Sequence, residues 1–182
     1  MILRFPLSDL PSLSSRYIEG MNPRDRRLTA TIEQAVFPSY RGKGYLTKDE
    51  FLTVCAWKTP RTSKWCGTNE EEVIREVSAL VFTTKSEVLR IQSWTMLAGV
   101  KWPTASVFLH FLYADQYPIL DYRALWSLGI PKPPPYTFSF WMEYVTCCRA
   151  LAQKTNVSMR VLDQALWKYS QENQTKSPRG LK

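Results

Sequence analysis

Histidine occurs once in this chain of 182 residues, as His110, and the four cysteines (Cys55, Cys66, Cys147, Cys148) include no C-x-x-C pair. Zinc sites draw on closely spaced Cys and His ligands, so no metal is expected. Adjacent Cys147 and Cys148 make a poor disulfide pair, and free thiols suit a reducing compartment. Long apolar runs are also missing. The longest, residues 105–114, contains Ser106 and His110 and falls well short of the ~20 residues of a membrane helix. The opening MILRFPLSDLPSLSS lacks the cationic stretch and sustained apolar run of a signal peptide. These absences lead to the expectation of a soluble, cytoplasmic protein with no membrane partner. No segment alternates polar and apolar residues convincingly, so strands are not expected either.

What the chain does have is positive charge and helix-period patterning. Its 24 Lys+Arg against 16 Asp+Glu leave a formal net charge of +8. That surplus favours polyanions, nucleic acid above all, through counterion release. A hydrophobic fraction of 45% is enough for a folded core in one domain. Residues 1–23, rich in Ser, Pro and Leu, read as an irregular arm, 24–170 as a helical domain, and 171–182 as a polar tail.

Helices are expected over 24–37 and 48–57, the second opened by Thr47 with Glu50 as a capping box. Asn69 is expected to cap a third, through Glu70-Glu71-Glu72 at the positive end of the helix dipole. Further helices are expected over 86–97, 103–113, 121–128, 137–154 and 158–169. Residues 38–44 read as a basic loop and 131–135 as a rigid, proline-rich break. The fold class is all-α.

Residues 97–129 carry the densest signal. Gly99 in Leu97-Ala98-Gly99-Val100 permits a tight turn into an apolar helix. Lys101 adds a cation near the helix start, where amides and dipole suit a phosphate. Pro103 fits a first helical turn, and Asp121 opens the next helix ahead of Tyr122-Arg123-Ala124-Leu125. Taken singly, a plain helix–helix turn and an N-cap account for Gly99, Pro103 and Asp121 without any ligand.

Taken together, the segment resembles the signature of the helix-hairpin-helix (HhH-GPD) DNA glycosylase superfamily, which includes endonuclease III. There a hairpin of the type L-P-G-V-G-x-x-T-A grips DNA backbone and a later aspartate does the chemistry. Thr104-Ala105 stands for the T-A, and Asp121 follows Thr104 by seventeen positions, the same interval as in endonuclease III. The resemblance implies a two-lobed helical fold and a monomer that binds double-stranded DNA and excises a damaged or mismatched base. Asp121 would be the catalytic carboxylate, stabilising oxocarbenium-like charge on the sugar and activating water. Gly99, Val100, Lys101 and Thr104 would form the DNA-binding hairpin. Lys58 falls near the place from which the family fills the gap left by a flipped base. Arg61 lies in the same segment, 57–65, where three cations lie between two tryptophans, basic and aromatic residues together suiting nucleic acid.

The departures narrow the reading. Bifunctional members carry a lysine nucleophile immediately before the T-A, and Pro103 stands there, so Schiff-base chemistry is excluded and water must be the nucleophile. The iron–sulfur cysteine quartet of many relatives is missing, and no cofactor is expected. Lys101 replaces the second hairpin glycine. Tyr122-Arg123 replaces the usual Thr-His after the aspartate, leaving Arg123 to contact phosphate or to sit on a solvated helix face. The apolar Tyr117-Pro118-Ile119-Leu120 would bury the Asp121 carboxylate. A flipped base needs flat walls, and Trp57, Trp65, Trp94, Trp102, Tyr113, Tyr117, Trp126 and Trp141 are the candidates. Two other readings stand beside this one: a non-catalytic HhH DNA-binding protein, and a helical protein-interaction domain.

Overall fold

The computed structural model describes residues 1–58, 60–113 and 116–174, and every regular element among them is helical. The α-helices are α1 (Leu10–Glu19), α2 (Pro23–Thr31), α3 (Phe37–Lys43), α4 (Lys48–Lys58), α5 (Ser63–Cys66), α6 (Glu71–Thr83), α7 (Glu87–Gln92), α8 (Trp102–Leu112), α9 (Tyr122–Ser127), α10 (Phe138–Thr155) and α11 (Met159–Asn173). The chain divides into two compact units. One is Met21–Leu120, and the other joins both ends of the chain, Met1–Gly20 with Asp121–Lys182.

In Met21–Leu120 the centre is α8. Every residue from Thr104 to Leu112 is buried, as expected of a helix apolar on all sides. Phe108 stacks between Phe51 of α4 (ring centroids 5.5 Å apart) and Trp94 (4.1 Å). Phe111 meets Phe37 of α3 at 5.6 Å and Trp57 of α4, edge-on, at 5.5 Å. Arg41 donates to the carbonyls of Phe111 (2.7 Å) and Leu112 (3.2 Å), placing a cation on the last carbonyls of α8. The Thr47–Glu50 capping box forms: the Thr47 amide donates to Glu50 Oε2 at 2.8 Å, and Lys43 Nζ reaches the same oxygen at 2.6 Å. Burial alone would raise the Glu50 carboxyl, but these two partners, with the Ser39 hydroxyl, outweigh it and hold the group below its ordinary value.

In the unit made of both chain ends, α1 packs along α11, and α11 also meets α9 and α10. Leu10, Leu13, Leu125, Trp141, Tyr144, Leu162 and Leu166 are core residues. Residues ahead of α1 run alongside α9: Ile2 and Arg4 donate their amides to the carbonyls of Leu128 and Ser127 (both 2.9 Å). The Arg4 guanidinium lies 4.5 Å over the Trp126 ring.

Three local expectations change. Residues 1–23 are not an irregular arm throughout. The Ser- and Pro-rich stretch forms α1 because Pro11 falls in its first turn and Leu10 and Leu13 bury against α11. The basic loop at 38–44 is helix α3. Pro38 occupies its first turn, and a widened π-turn, Ile32–Val36, precedes it. That i→i+5 turn accommodates a residue that has no amide to give the carbonyl four positions back. The tail at 171–182 begins as the end of α11, and residues 175–182 lie outside the described residues.

Candidate nucleic-acid interface

The hairpin turn at 97–100 is real and tightly held. The Val100 amide donates to the Leu97 carbonyl at 3.1 Å, and Gly99 sits at φ +79°, in the left-handed region that favours glycine. The turn is backed by α5. A Cβ on Gly99 would lie 2.7 Å from Cys66 Sγ, 2.8 Å from the Cys66 amide nitrogen and 3.1 Å from the Thr62 carbonyl. Asn69, expected as a helix cap, is used differently. It accepts the Ala98 amide at 2.8 Å and donates to the carbonyls of Ala98 (3.0 Å) and Cys66 (2.9 Å). Glu70 takes the N-cap position of α6 instead. Nothing local marks Asn69 as a clamp, because two of its three side-chain bonds go to Ala98, 29 positions away.

The hairpin residues separate into two groups. Lys101 is exposed at the N-cap of α8, and Gly99 is partly exposed. Val100 and Thr104 are core, at 1% and 4% exposure, and the Val100 amide is already committed to Leu97. Their side chains brace the turn from inside. The first intrahelical bond of α8 runs from the Ala105 amide to the Lys101 carbonyl (2.8 Å), so the first-turn amides lie ahead of it.

Asp121 is the first residue of the other unit. It is the N-cap of α9, and its Oδ1 accepts the Arg123 amide at 2.9 Å. Tyr117, Ile119 and Leu120 ahead of it are buried, yet Asp121 itself is only half-buried. The segment is pinned from behind: the Leu120 amide donates to Ser106 Oγ (2.8 Å), and His110 Nδ1 lies 2.7 Å from the Tyr117 carbonyl. The apolar run therefore anchors the backbone, and Asp121 follows it half-buried at the start of α9. Burial raises the Tyr144 hydroxyl well above its ordinary range, and the charges of Cys148, Asp163 and Asp121 add to that. Burial and Asp121 likewise raise Tyr136. Two phenols that stay neutral thus lie within electrostatic range of the carboxylate. Arg123 is not a simple solvated residue, since its guanidinium lies 5.2 Å over both Tyr122 and Trp167.

The second basic segment also separates. Trp57 is packing: its indole N–H donates to Thr29 Oγ1 at 2.9 Å. Lys58 ends α4 and is half-buried, Arg61 is exposed, and Trp65 is 55% exposed. Thr59 lies outside the described residues. Of the remaining aromatic candidates, Trp94, Trp141 and Tyr117 are core, while Trp102, Tyr113 and Trp126 are partly exposed. Among the described residues no cluster of three or more His, Cys, Asp or Glu is placed to hold a metal ion, and no helix is long and apolar enough to cross a membrane.

No protein family, curated protein or solved structure matches this chain.

Proposed function

We propose that the chain is a monofunctional DNA glycosylase-like protein that binds double-stranded DNA through the 97–100 hairpin. The observation that supports this reading is one combination of features. A positive-φ glycine turns the chain into α8 beside exposed Lys101, and seventeen positions after Thr104 a half-buried Asp121 opens a helix. Water is the nucleophile. The C1′–N bond breaks, hydroxide from water joins C1′, and the water's other proton ends on the released base. Asp121 accepts that proton from the water and stabilises the cationic sugar. Pro103 at the first turn of α8 offers no amine for a covalent intermediate.

The test is base release from duplexes carrying single lesions or mismatches, read as strand breaks after alkali, with wild type beside Asp121→Asn. Release by wild type and its loss in Asp121→Asn is the expected result. Equal inertness of both on every substrate overturns the catalytic reading. One observation favours a second reading, a non-catalytic DNA-binding protein: Asp121 already serves as a cap for the Arg123 amide. Duplex binding that weakens with salt, with no base release, is its outcome.

A further inference from the structure

Gly99 and Asn69 hold the hairpin against α5, so that the two segments form one platform. Gly99 contacts Cys66 and Thr62 backbone, and Asn69 bonds to both Ala98 and Cys66. What this platform exposes is unusual for the chain. The Trp94 and Trp141 indoles are wholly buried, whereas Trp65, the residue before Cys66, is 55% exposed. Met96, two positions before the clamped Ala98, is 76% exposed. The Lys64 ammonium lies 5.0 Å over the Trp65 ring, and Arg61, in the turn just before α5, and Lys101, just after the hairpin, are exposed. Among the described residues none of these three cations forms an ion pair, while Glu71, at the start of the following helix, is held by Arg75 at 3.3 Å.

We infer that this platform takes an unstacked base of DNA, which lies on the Trp65 indole while Arg61, Lys64 and Lys101 hold the flanking phosphates. The inference rests on the DNA-binding part of the reading above and is independent of catalysis. An exposed aromatic face among cations is the arrangement that binds unpaired bases with little sequence preference, since every base has a π-face. A peptide partner would be indifferent to base pairing, and a fully stacked duplex offers the indole no base face.

Fluorescence anisotropy at low salt would compare a labelled duplex carrying one bulged thymine with its fully paired counterpart. Wild type is expected to prefer the bulged duplex by about five-fold or more. Trp65→Ala should lose that preference while keeping its affinity for the paired duplex, and Trp65→Phe should retain part of it. Trp65 packs little, so both variants should keep the wild-type circular dichroism spectrum. Asp121→Asn should retain the full preference, which separates this inference from the catalytic claim. Equal binding of both duplexes by wild type, no binding of either, or an unchanged preference in Trp65→Ala each overturns it. Base release with any of these results leaves catalysis standing and removes the platform.

Discussion

Gly99→Ala tests the backing of the hairpin more sharply than any other single substitution. Two costs combine. An alanine at φ +79° sits in the left-handed region at a cost of about 1–2 kcal/mol. Its Cβ would also lie 2.7 Å from Cys66 Sγ and 2.8 Å from the Cys66 backbone nitrogen. Backbone cannot swing away as a flexible side-chain end can, so overpacking adds about 1–3 kcal/mol. The total is about 2–5 kcal/mol. With a urea slope of about 2 kcal/mol/M, the unfolding midpoint should fall by roughly 1–2.5 M. Gly42→Ala is the matched control. It lies on α3 with nothing within 4 Å of its added Cβ, and alanine in a helix interior gains about 0.5–1 kcal/mol. Made in a Cys66→Ala background, Gly99→Ala should cost less but still something, because the 2.8 Å backbone contact survives. Equal urea midpoints for Gly99→Ala and Gly42→Ala would refute the close approach of hairpin and α5.

Three further outcomes follow from the same contacts. Asn69→Ala removes the side-chain partners of the Ala98 amide and carbonyl, while the Cys66 carbonyl keeps the backbone amide of residue 69; a loss of about 1–2 kcal/mol is expected from urea unfolding, with weaker duplex binding at low salt, and an unchanged midpoint would mean the clamp is not needed. Glu50 titrates below its ordinary value when folded, so its stabilising effect is complete above the unfolded carboxyl's pKa and disappears as pH falls through the folded one; the urea midpoint difference between wild type and Glu50→Gln should be larger near pH 7 than near pH 3. Asp121→Ala removes the cap on the Arg123 amide and should cost about 1 kcal/mol, whereas Asp121→Asn keeps a capping oxygen and should unfold within a few tenths of a kcal/mol of wild type; equal losses in the two would show that the cap is not what the carboxylate contributes to folding.

Helix class and many helix starts were legible because their causes are local. Thr47 with Glu50, Ser86, Thr137 and Ser158 each cap within three residues of themselves, so a short window contains the whole interaction. Helix α1 was missed because Ser and Pro argue against it locally and its support comes from α11, about 150 positions on. Helix α3 was missed because Pro38 looks like a stop, and only the π-turn ahead of it shows how the backbone passes through. The candidate site divides the same way. Gly99, Lys101 and Asp121 were visible from type and spacing, but the inward turn of Val100 and Thr104 was not.

The all-α class, the positive charge, the hairpin glycine and the aspartate seventeen positions past Thr104 can all be read from the order of residues alone. Periodicity, caps and charge are sums over neighbours along the chain, so they need no knowledge of distant contacts. It takes the folded unit to make Asn69 clamp a turn instead of capping a helix, to pack Trp57 while Trp65 is exposed, and to leave Asp121 half-buried after an apolar run. Each of those outcomes depends on which distant backbone arrives beside the residue. An asparagine or an indole has the same local preferences in either role, and burial, set by the whole unit, makes the choice.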